Sequence, residues 1–261
     1  MSLMVLAAGN TFTPPAASDF WQPLVGDGNW ALTRPMILMV ISVVAIIAVS
    51  LIVTRNLKVV PSRGQWMFES VYGLVRNGLA KDMIGEKEMR PFLPLLFALF
   101  LTVLINNLFG IIPPVQYPTM SRIAFPIGLT LIVWILYLAL GMRRRGFLGY
   151  FKSLIPPGMP AAIVPLMFLL ELITYFFTRP VTLALRLFGN MFAGHMIIVL
   201  MALGGEFLLF HGDGLLKITS IGPLAMFFVM TVFELLVQFL QAYIFTLLAA
   251  FYIADSLSEH H

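Results

Sequence analysis

Five apolar runs organise this chain of 261 residues, and each is long enough to cross a lipid bilayer. Hydrophobic residues make up 60% of the chain and charged residues only 11%, whereas soluble globular domains carry roughly 25% charged residues. At ~1.5 Å per residue, about twenty helical residues cover a hydrocarbon core of ~30 Å. The sequence therefore predicts an all-α polytopic membrane protein, with residues 1–261 forming a single membrane domain.

Three of the runs have the length of ordinary spans, over residues 35–54, 91–112 and 123–142. The runs over 165–203 and 221–254 are much longer. An upright helix of the 39 residues from 165 to 203 would measure roughly 58 Å, about twice the core. We therefore expect about five membrane-crossing helices, the last two long and strongly tilted, with a local kink near Pro180.

Residues 55–90 carry seven basic and four acidic side chains between the first two spans. Apolar residues recur there at roughly helical spacing, at Trp66, Met67, Val71, Leu74, Val75 and Leu79. This pattern favours one amphipathic helix lying on the membrane surface. A plain solvated loop is the alternative.

Basic residues predict the orientation, because short loops rich in lysine and arginine stay on the cytoplasmic side. Eleven of the sixteen lysines and arginines lie in residues 55–90 and 143–152. Those segments are expected inside, with the C-terminus at 255–261. The N-terminal segment 1–34 is expected outside, together with the loops at 113–122 and 204–217.

Several function classes find no support in the sequence. The net charge is +4, but the basic residues flank apolar spans and form no basic and aromatic face for nucleic acid. The chain has no cysteine, hence no disulfide or thiolate metal site, and no glycine-rich phosphate loop. We expect no cofactor and no metal.

An arginine, an asparagine and a histidine interrupt the fourth apolar run, at Arg186, Asn190 and His195. An arginine at mid-bilayer costs roughly 2.5–3.5 kcal/mol on insertion scales and usually serves an ion pathway or a partner charge. Its guanidinium stays protonated, so Arg186 is predicted to be a fixed charge that a mobile carboxylate meets. At ~100° per residue, Thr182 and Asn190 share its face, while His195 points ~180° away.

A second polar stripe lies on the last helix, where Glu234, Gln238 and Gln241 fall within ~60° of one another. The two long helices run antiparallel. If Gln241 lies level with Arg186, then His195 and Glu234 lie ~13.5 and ~10.5 Å toward the outer face. The pair is therefore predicted to share one depth and to relay protons.

Structural roles remain open for the same residues. For Arg186, the alternative is an arginine neutralised by a carboxylate of this same chain, although neither Glu171 nor Glu234 shares its expected depth. His195 and Glu234 form, on the alternative view, a structural hydrogen-bonded pair. For Asn106 and Asn107, the alternative is helix capping or a hydrogen bond to a neighbouring helix. For Gln238 and Gln241, it is hydrogen bonding between helices.

Two motifs carry a resemblance to a known family: TLALRLFGNMFAGH at residues 182–195 and ELLVQFLQAYIF at 234–245. Together with NLFGIIP at 107–113, they resemble subunit a of the F-type rotary ATP synthase, in the style of actinobacterial members. The resemblance covers nearly the whole chain and is weakest over residues 1–30.

The resemblance implies a non-catalytic stator that offers two offset half-channels to a rotating c-ring. Arg186 matches the essential arginine that faces the ring carboxylate. By the same resemblance, the proton path comprises Asn107, Glu171, Thr182, Asn190, His195, Glu234 and Gln241. Gln238 is added to this path because it belongs to the polar stripe on the last helix. Glu171 matches an inner-side glutamate only with a spacing to Pro180 that is one residue longer than usual. Some bacterial members place glutamate and histidine in the reverse order at the positions of His195 and Glu234.

The implied partners are c-ring subunits, b-type peripheral stalk subunits, other ATP synthase subunits, the lipid bilayer and protons as the transported ion. The implied location is a bacterial plasma membrane, with a multi-pass topology. A self-contained secondary transporter or ion channel is the competing class. It predicts inverted repeats and paired broken helices, which the sequence does not contain.

Overall fold

The computed structural model describes residues 12, 14–16, 23–25, 32–55, 57–112, 115–155, 160 and 163–258. Most of the predicted external segment 1–34 and the last three residues of the chain therefore lie outside the described residues. Within these residues, a short antiparallel pair, β1 and β2, precedes ten α-helices. The elements are β1 (Pro23–Val25), β2 (Leu32–Thr33), α1 (Arg34–Arg55), α2 (Arg63–Val75), α3 (Asp82–Ile84), α4 (Leu93–Leu108), α5 (Ala124–Arg145), α6 (Phe147–Ser153), α7 (Val164–Ile173), α8 (Arg179–His211), α9 (Leu215–Thr219) and α10 (Ile221–Leu257). Two π-helical segments, Arg76–Lys81 and Thr174–Thr178, and a 3₁₀ turn, Thr119–Ser121, complete the list.

Apolar helices dominate the fold. Among the described residues, four helical stretches are long and apolar enough to cross a membrane: Arg34–Arg55, Ala124–Arg145, Val164–His211 and Lys217–Leu257. The shorter apolar helix α4 has 16 residues. The predicted fold class, an all-α polytopic membrane protein with about five crossing helices, is confirmed. The strong tilt of the last two helices stays a prediction from their length.

The segment after α1 is helical, so the solvated-loop alternative does not hold for residues 63–84. Ser62 caps α2 by accepting a hydrogen bond from the Gln65 backbone N–H at 3.4 Å. Phe68 and Tyr72 pack edge-on against Phe97 of α4, with ring centroids 5.3 and 5.4 Å apart. The predicted apolar face is only partly buried, because Trp66 and Met67 of that set are exposed. Exposed apolar side chains suit a helix lying against lipid, which stays a prediction.

Helix α8 ends later than expected. The sequence analysis placed an aqueous loop at 204–217, but α8 continues to His211 and only residues 212–214 separate it from α9. Charged residues and glycines in this stretch suggested the loop. One of these glycines, Gly205, instead lies inside the helix against Leu224 of α10, where the missing side chain lets two helices approach closely.

Replacing Gly205 with alanine should destabilise the folded chain, since an added Cβ would lie 2.8 Å from Leu224 Cγ and 3.3 Å from its backbone nitrogen. Such overpacking costs about 1–3 kcal/mol. The matched control is Gly204→Ala, where nothing lies within 4 Å of the added Cβ. Thermal unfolding of the two purified variants measures the difference, and equal midpoints would contradict the proposed packing.

The chain divides into two internally packed units. The first unit comprises Met1–Val43, Leu104–Arg122 and Phe188–Gln241, and the second comprises Val44–Val103, Ile123–Leu187 and Ala242–His261. Buried apolar side chains of the first unit include Met191, Val199 and Leu203. Those of the second unit include Leu79, Leu96, Phe100, Tyr137, Leu183, Leu187, Phe245 and Ile253. The single-domain assignment of residues 1–261 stays a prediction.

In the second unit, the helix before Pro180 opens into a π-helical segment at Thr174–Thr178. The Arg179 backbone N–H bonds the Thr174 carbonyl, five residues back, and Pro180 has no N–H to donate. The Tyr175 carbonyl is therefore free to accept the Tyr137 hydroxyl of α5, at 2.5 Å. The kink expected near Pro180 thus takes the form of a π-bulge, which is a common cause of helix distortion.

Arginines at the end of α5 bind the end of α10 within the second unit. The Arg144 guanidinium donates to the Leu257 carbonyl at 2.8 Å and forms an ion pair with Glu88. Arg145 donates to the Ser258 carbonyl and to the Ser153 hydroxyl. These cations also lie at a helix C-terminus, where the helix dipole favours positive charge.

Candidate functional site

The first unit joins α8 and α10 through an amide pair. Asn190 Nδ2 donates to Gln241 Oε1 at 2.8 Å. The sequence analysis took Gln241 level with Arg186 only as the condition of its depth estimate. The hydrogen-bond partner of Gln241 is Asn190, one turn further along α8. The helical period gives the angle of a residue around one helix and leaves the axial register of two helices undetermined, so this partner was not predictable.

A buried polar cluster lies beside this pair, formed by Asn107 of α4 and by Glu234 and Gln238 of α10. Gln238 Nε2 donates to Glu234 Oε1 at 3.2 Å, one turn away on the same helix. Asn107 Nδ2 donates to the Gln238 backbone carbonyl at 3.3 Å. The three side chains are between 2% and 5% exposed. The structure thus brings together three residues that the sequence placed in the proton path.

Gly194 allows the Glu234 carboxyl group to approach α8. A Cβ added at Gly194 would lie 3.4 Å from both Cδ and Oε1 of Glu234. The next residue, His195, is 6% exposed. Among the described residues, no hydrogen bond or ion pair joins His195 to Glu234, so their direct contact stays a prediction. The structure places both residues in the first unit.

Four polar atoms of this region are buried and make no hydrogen bond to any described residue: Glu234 Oε2, Asn107 Oδ1, Gln238 Oε1 and Gln241 Nε2. Buried polar atoms in folded proteins are normally bonded either to protein or to ordered water. A carboxyl oxygen and two amide oxygens in one cluster therefore offer acceptors to water. Such an arrangement can conduct protons along hydrogen bonds.

Asn106 has a different partner from its neighbour Asn107. Its Nδ2 donates to the Ser42 hydroxyl of α1 at 2.8 Å, and both side chains are fully buried. The Ser42 hydroxyl in turn donates to the Met39 carbonyl at 2.7 Å. For Asn106, the helix–helix hydrogen bond considered from the sequence is confirmed.

In the second unit, Arg186 is exposed and has no ion-pair partner among the described residues. Thr182, one turn earlier, is also exposed, and its hydroxyl donates to the Thr178 carbonyl at 2.6 Å. Glu171 lies on α7, half-buried, and its side chain makes no hydrogen bond or ion pair with the described residues. The alternative of an intrachain carboxylate on Arg186 therefore finds no support in the described part of the chain.

The sequence analysis missed another arginine of the same unit, Arg179, which unlike Arg186 is largely buried. Arg179 Nη1 lies 2.7 Å from Asp255 Oδ2, and both side chains are only 15% exposed. The Tyr175 hydroxyl donates to the same carboxylate oxygen at 2.6 Å. The guanidinium carbon lies 3.6 Å from the Tyr175 ring centroid and 5.0 Å from that of Tyr252. The one available signal was the spacing of seven residues between Arg179 and Arg186.

Tyr117 lies in the connection between α4 and α5, outside the membrane-spanning helices. Burial raises the pKa of Tyr117 to about 12, while the positive charges of Arg34 and Arg122 oppose the increase. Arg122 also donates to the Thr33 hydroxyl at 2.8 Å. The phenol is therefore neutral at physiological pH.

The described residues contain no group of three or more histidine or carboxylate side chains placed to bind a metal ion.

Comparisons with known proteins agree with the motifs. The family model for the ATP synthase A chain matches residues 36–254. The chain is 40% identical to ATP synthase subunit a of Nocardioides sp., over 100% of this chain and 98% of the relative. It is 40% identical to subunit a of Pseudarthrobacter chlorophenolicus, over 94% and 93%. It is 37% identical to subunit a of Streptomyces lividans, over 97% and 90%. The chain therefore belongs to the ATP synthase subunit a family and is a non-catalytic, proton-translocating membrane subunit of the F-type ATP synthase.

Proposed function

We propose that this chain is the stator that offers two offset half-channels to a c-ring, with Arg186 as the charge that couples proton transfer to ring rotation. The observation that carries the proposal is the state of Arg186, an exposed guanidinium on an apolar helix without a carboxylate partner among the described residues. A permanent charge of this kind calls for a mobile anion from another subunit. The resemblance of residues 182–195 to the family motif identifies that anion as the ring carboxylate.

The outer half-channel is lined by Asn107, His195, Glu234 and Gln238. Support comes from the buried cluster of Asn107, Glu234 and Gln238, whose unbonded oxygens can accept hydrogen bonds from water. A proton entering along this path neutralises a ring carboxylate. The neutral acid then travels through lipid with the ring, since an uncharged carboxyl group is far less costly there than a carboxylate.

Arg186 separates the two paths by attracting the ionised carboxylate. Because the guanidinium is never deprotonated, it cannot pass a proton straight from one path to the other. Thr182, Asn190 and Gln241 are the polar neighbours that the family motif assigns to it, and Glu171 is our candidate for the inner exit path. Each proton that crosses contributes roughly 2.3 kcal/mol per 100 mV, which the ring delivers as torque to a separate catalytic sector.

The remaining assignments follow from this role. Partners are the c-ring, b-type peripheral stalk subunits and other ATP synthase subunits. The location is a bacterial plasma membrane, with the N-terminus outside and the C-terminus in the cytoplasm. Basic residues at the end of α5 and in 55–90 support this orientation.

Single-cysteine labelling tests the orientation, and the chain has no native cysteine to interfere. Ser62, Lys152 and Asp213 are all exposed. Ser62→Cys and Lys152→Cys should react with an impermeant maleimide only from the cytoplasmic side, and Asp213→Cys only from outside. Labelling in the reverse pattern would overturn the orientation derived from basic residues.

Reconstitution distinguishes the stator from a self-contained transporter or channel. Liposomes that contain the chain alone should show no proton flux above the lipid background under an imposed potential. Liposomes that contain the chain with a c-ring should conduct protons. Conduction by the chain alone, at the rate found with the ring, would contradict the stator assignment and support the competing class.

A further inference from the structure

Arg179 is a second arginine on α8, seven residues before Arg186. Seven helical residues correspond to ~10.5 Å of rise and leave the two side chains only ~20° apart around the axis. An anion that moves along this face of α8 would therefore meet two cations in succession, unless one of them is neutralised.

Asp255 neutralises Arg179. The ion pair has a length of 2.7 Å, and the carboxylate also accepts the Tyr175 hydroxyl at 2.6 Å. The Tyr175 and Tyr252 rings cover the guanidinium, which leaves only 15% of the Arg179 side chain exposed. Arg186 has no such arrangement among the described residues. The two arginines thus share a helix face but differ in charge compensation.

We infer that Asp255 is a positioning residue for proton translocation. By pairing with Arg179, it leaves Arg186 as the guanidinium that the ring carboxylate binds. This inference rests on the proposed function. Without Asp255, Arg179 stays charged, because a guanidinium is not deprotonated in proteins. It then becomes a desolvated cation without a carboxylate partner among the described residues. The ring carboxylate is the mobile anion that reaches this face, so capture at Arg179 slows the ring.

Four variants test the inference in the assembled enzyme: Asp255→Asn, Arg179→Gln, the double variant Arg179→Gln with Asp255→Asn, and Arg179→Lys with Asp255→Asn. The readout is ATP-driven proton pumping in inverted vesicles, divided by the amount of assembled complex. Asp255→Asn, alone or combined with Arg179→Lys, leaves an unpaired cation at position 179. Both variants should pump at least about tenfold more slowly than wild type, because this cation attracts the ring carboxylate strongly at low dielectric. Arg179→Gln and the neutral double variant should stay within about threefold of wild type, since neither contains the competing cation.

A purely structural ion pair predicts a different pattern. Breaking a buried pair from either side leaves a buried charge and destabilises the protein. Arg179→Gln would then be as harmful as Asp255→Asn, and the loss would appear in the amount of complex, with the rate per complex unchanged. Either result overturns the inference, as does a neutral double variant that pumps as slowly as Asp255→Asn. If Asp255→Asn does not assemble, the Arg179→Gln variant still tests the inference. A pumping rate per complex of Arg179→Gln below a third of wild type contradicts it.

Arg186→Ala in the same assay separates this inference from the proposed function. Normal pumping by Arg186→Ala would contradict the proposed function itself. Loss of pumping in Arg186→Ala, with Arg179→Gln as slow as Asp255→Asn, would contradict only the role of Asp255.

Discussion

Replacing Arg186 with alanine should abolish proton-driven ATP synthesis and leave the complex assembled. The side chain is exposed and makes no ion pair with the described residues, so its removal breaks no ion pair within the described part of the chain. What is lost is the attraction for a mobile carboxylate. At 4 Å and an effective dielectric constant of about 20, that attraction amounts to ~4 kcal/mol, or roughly a thousandfold in rate. ATP synthesis by energised membrane vesicles measures the loss.

Two controls belong with this experiment. Arg186→Lys retains the charge but should restore synthesis poorly, because a compact ammonium cannot bind a carboxylate in the two-pronged geometry of a guanidinium. Leu185→Ala truncates an adjacent side chain that is 49% exposed and should leave synthesis close to wild type. Wild-type rates in Arg186→Ala vesicles would contradict the coupling mechanism.

Replacing His195 or Glu234 with alanine should slow proton uptake at least about tenfold in each case, and the double variant should be little worse than either single one. Both side chains are buried in the first unit, and the Glu234 carboxyl group lies beside Gly194, the neighbour of His195. Groups that share one proton site couple by roughly 0.5–3 kcal/mol, so their losses do not add. Proton pumping in inverted vesicles, per assembled complex, gives the three rates.

The exchange variant sharpens this test. His195→Glu combined with Glu234→His should recover more pumping than either single exchange, since the combined variant retains one histidine and one carboxylate at this pair of positions. Glu234→Gln is the matched control, because it preserves side-chain size and a hydrogen-bonding oxygen opposite Gln238 but removes the titrating proton. Additive losses, with an exchange variant no better than the worse single variant, would show that the two residues act independently.

The polar residues of the site were predictable from the sequence because each is costly in a bilayer. Arg186, Glu234 and His195 interrupt apolar runs, and the cost of placing such groups in lipid marks them without any knowledge of the fold. The sequence analysis did not identify Arg179 and Asp255 as candidate site residues. Asp255 directly follows the last apolar run, where a charged residue looks like the polar end of a span, and nothing local connects it to an arginine 76 residues earlier.

Helix ends were predictable only where composition changes sharply. Helix α5 runs from Ala124 to Arg145, close to the expected 123–142, because three arginines terminate the apolar run. Helix α8 runs on to His211 through two glycines that the sequence analysis placed in a loop. Glycine lowers helix propensity by roughly 1 kcal/mol, and close packing of Gly205 on Leu224 offsets that cost.

The membrane-spanning helices, the polar positions inside them and the family could be identified without the fold, because hydrophobicity, charge and motif are properties of a continuous stretch of chain. Which of these residues contact one another depends on how the helices pack. Asn190 bonds Gln241, 51 residues away, and Arg179 pairs with Asp255 while Arg186 has no partner in the described chain. The physical reason is that helical periodicity fixes the angle of a side chain around its own axis, whereas the axial register between two helices depends on how both pack.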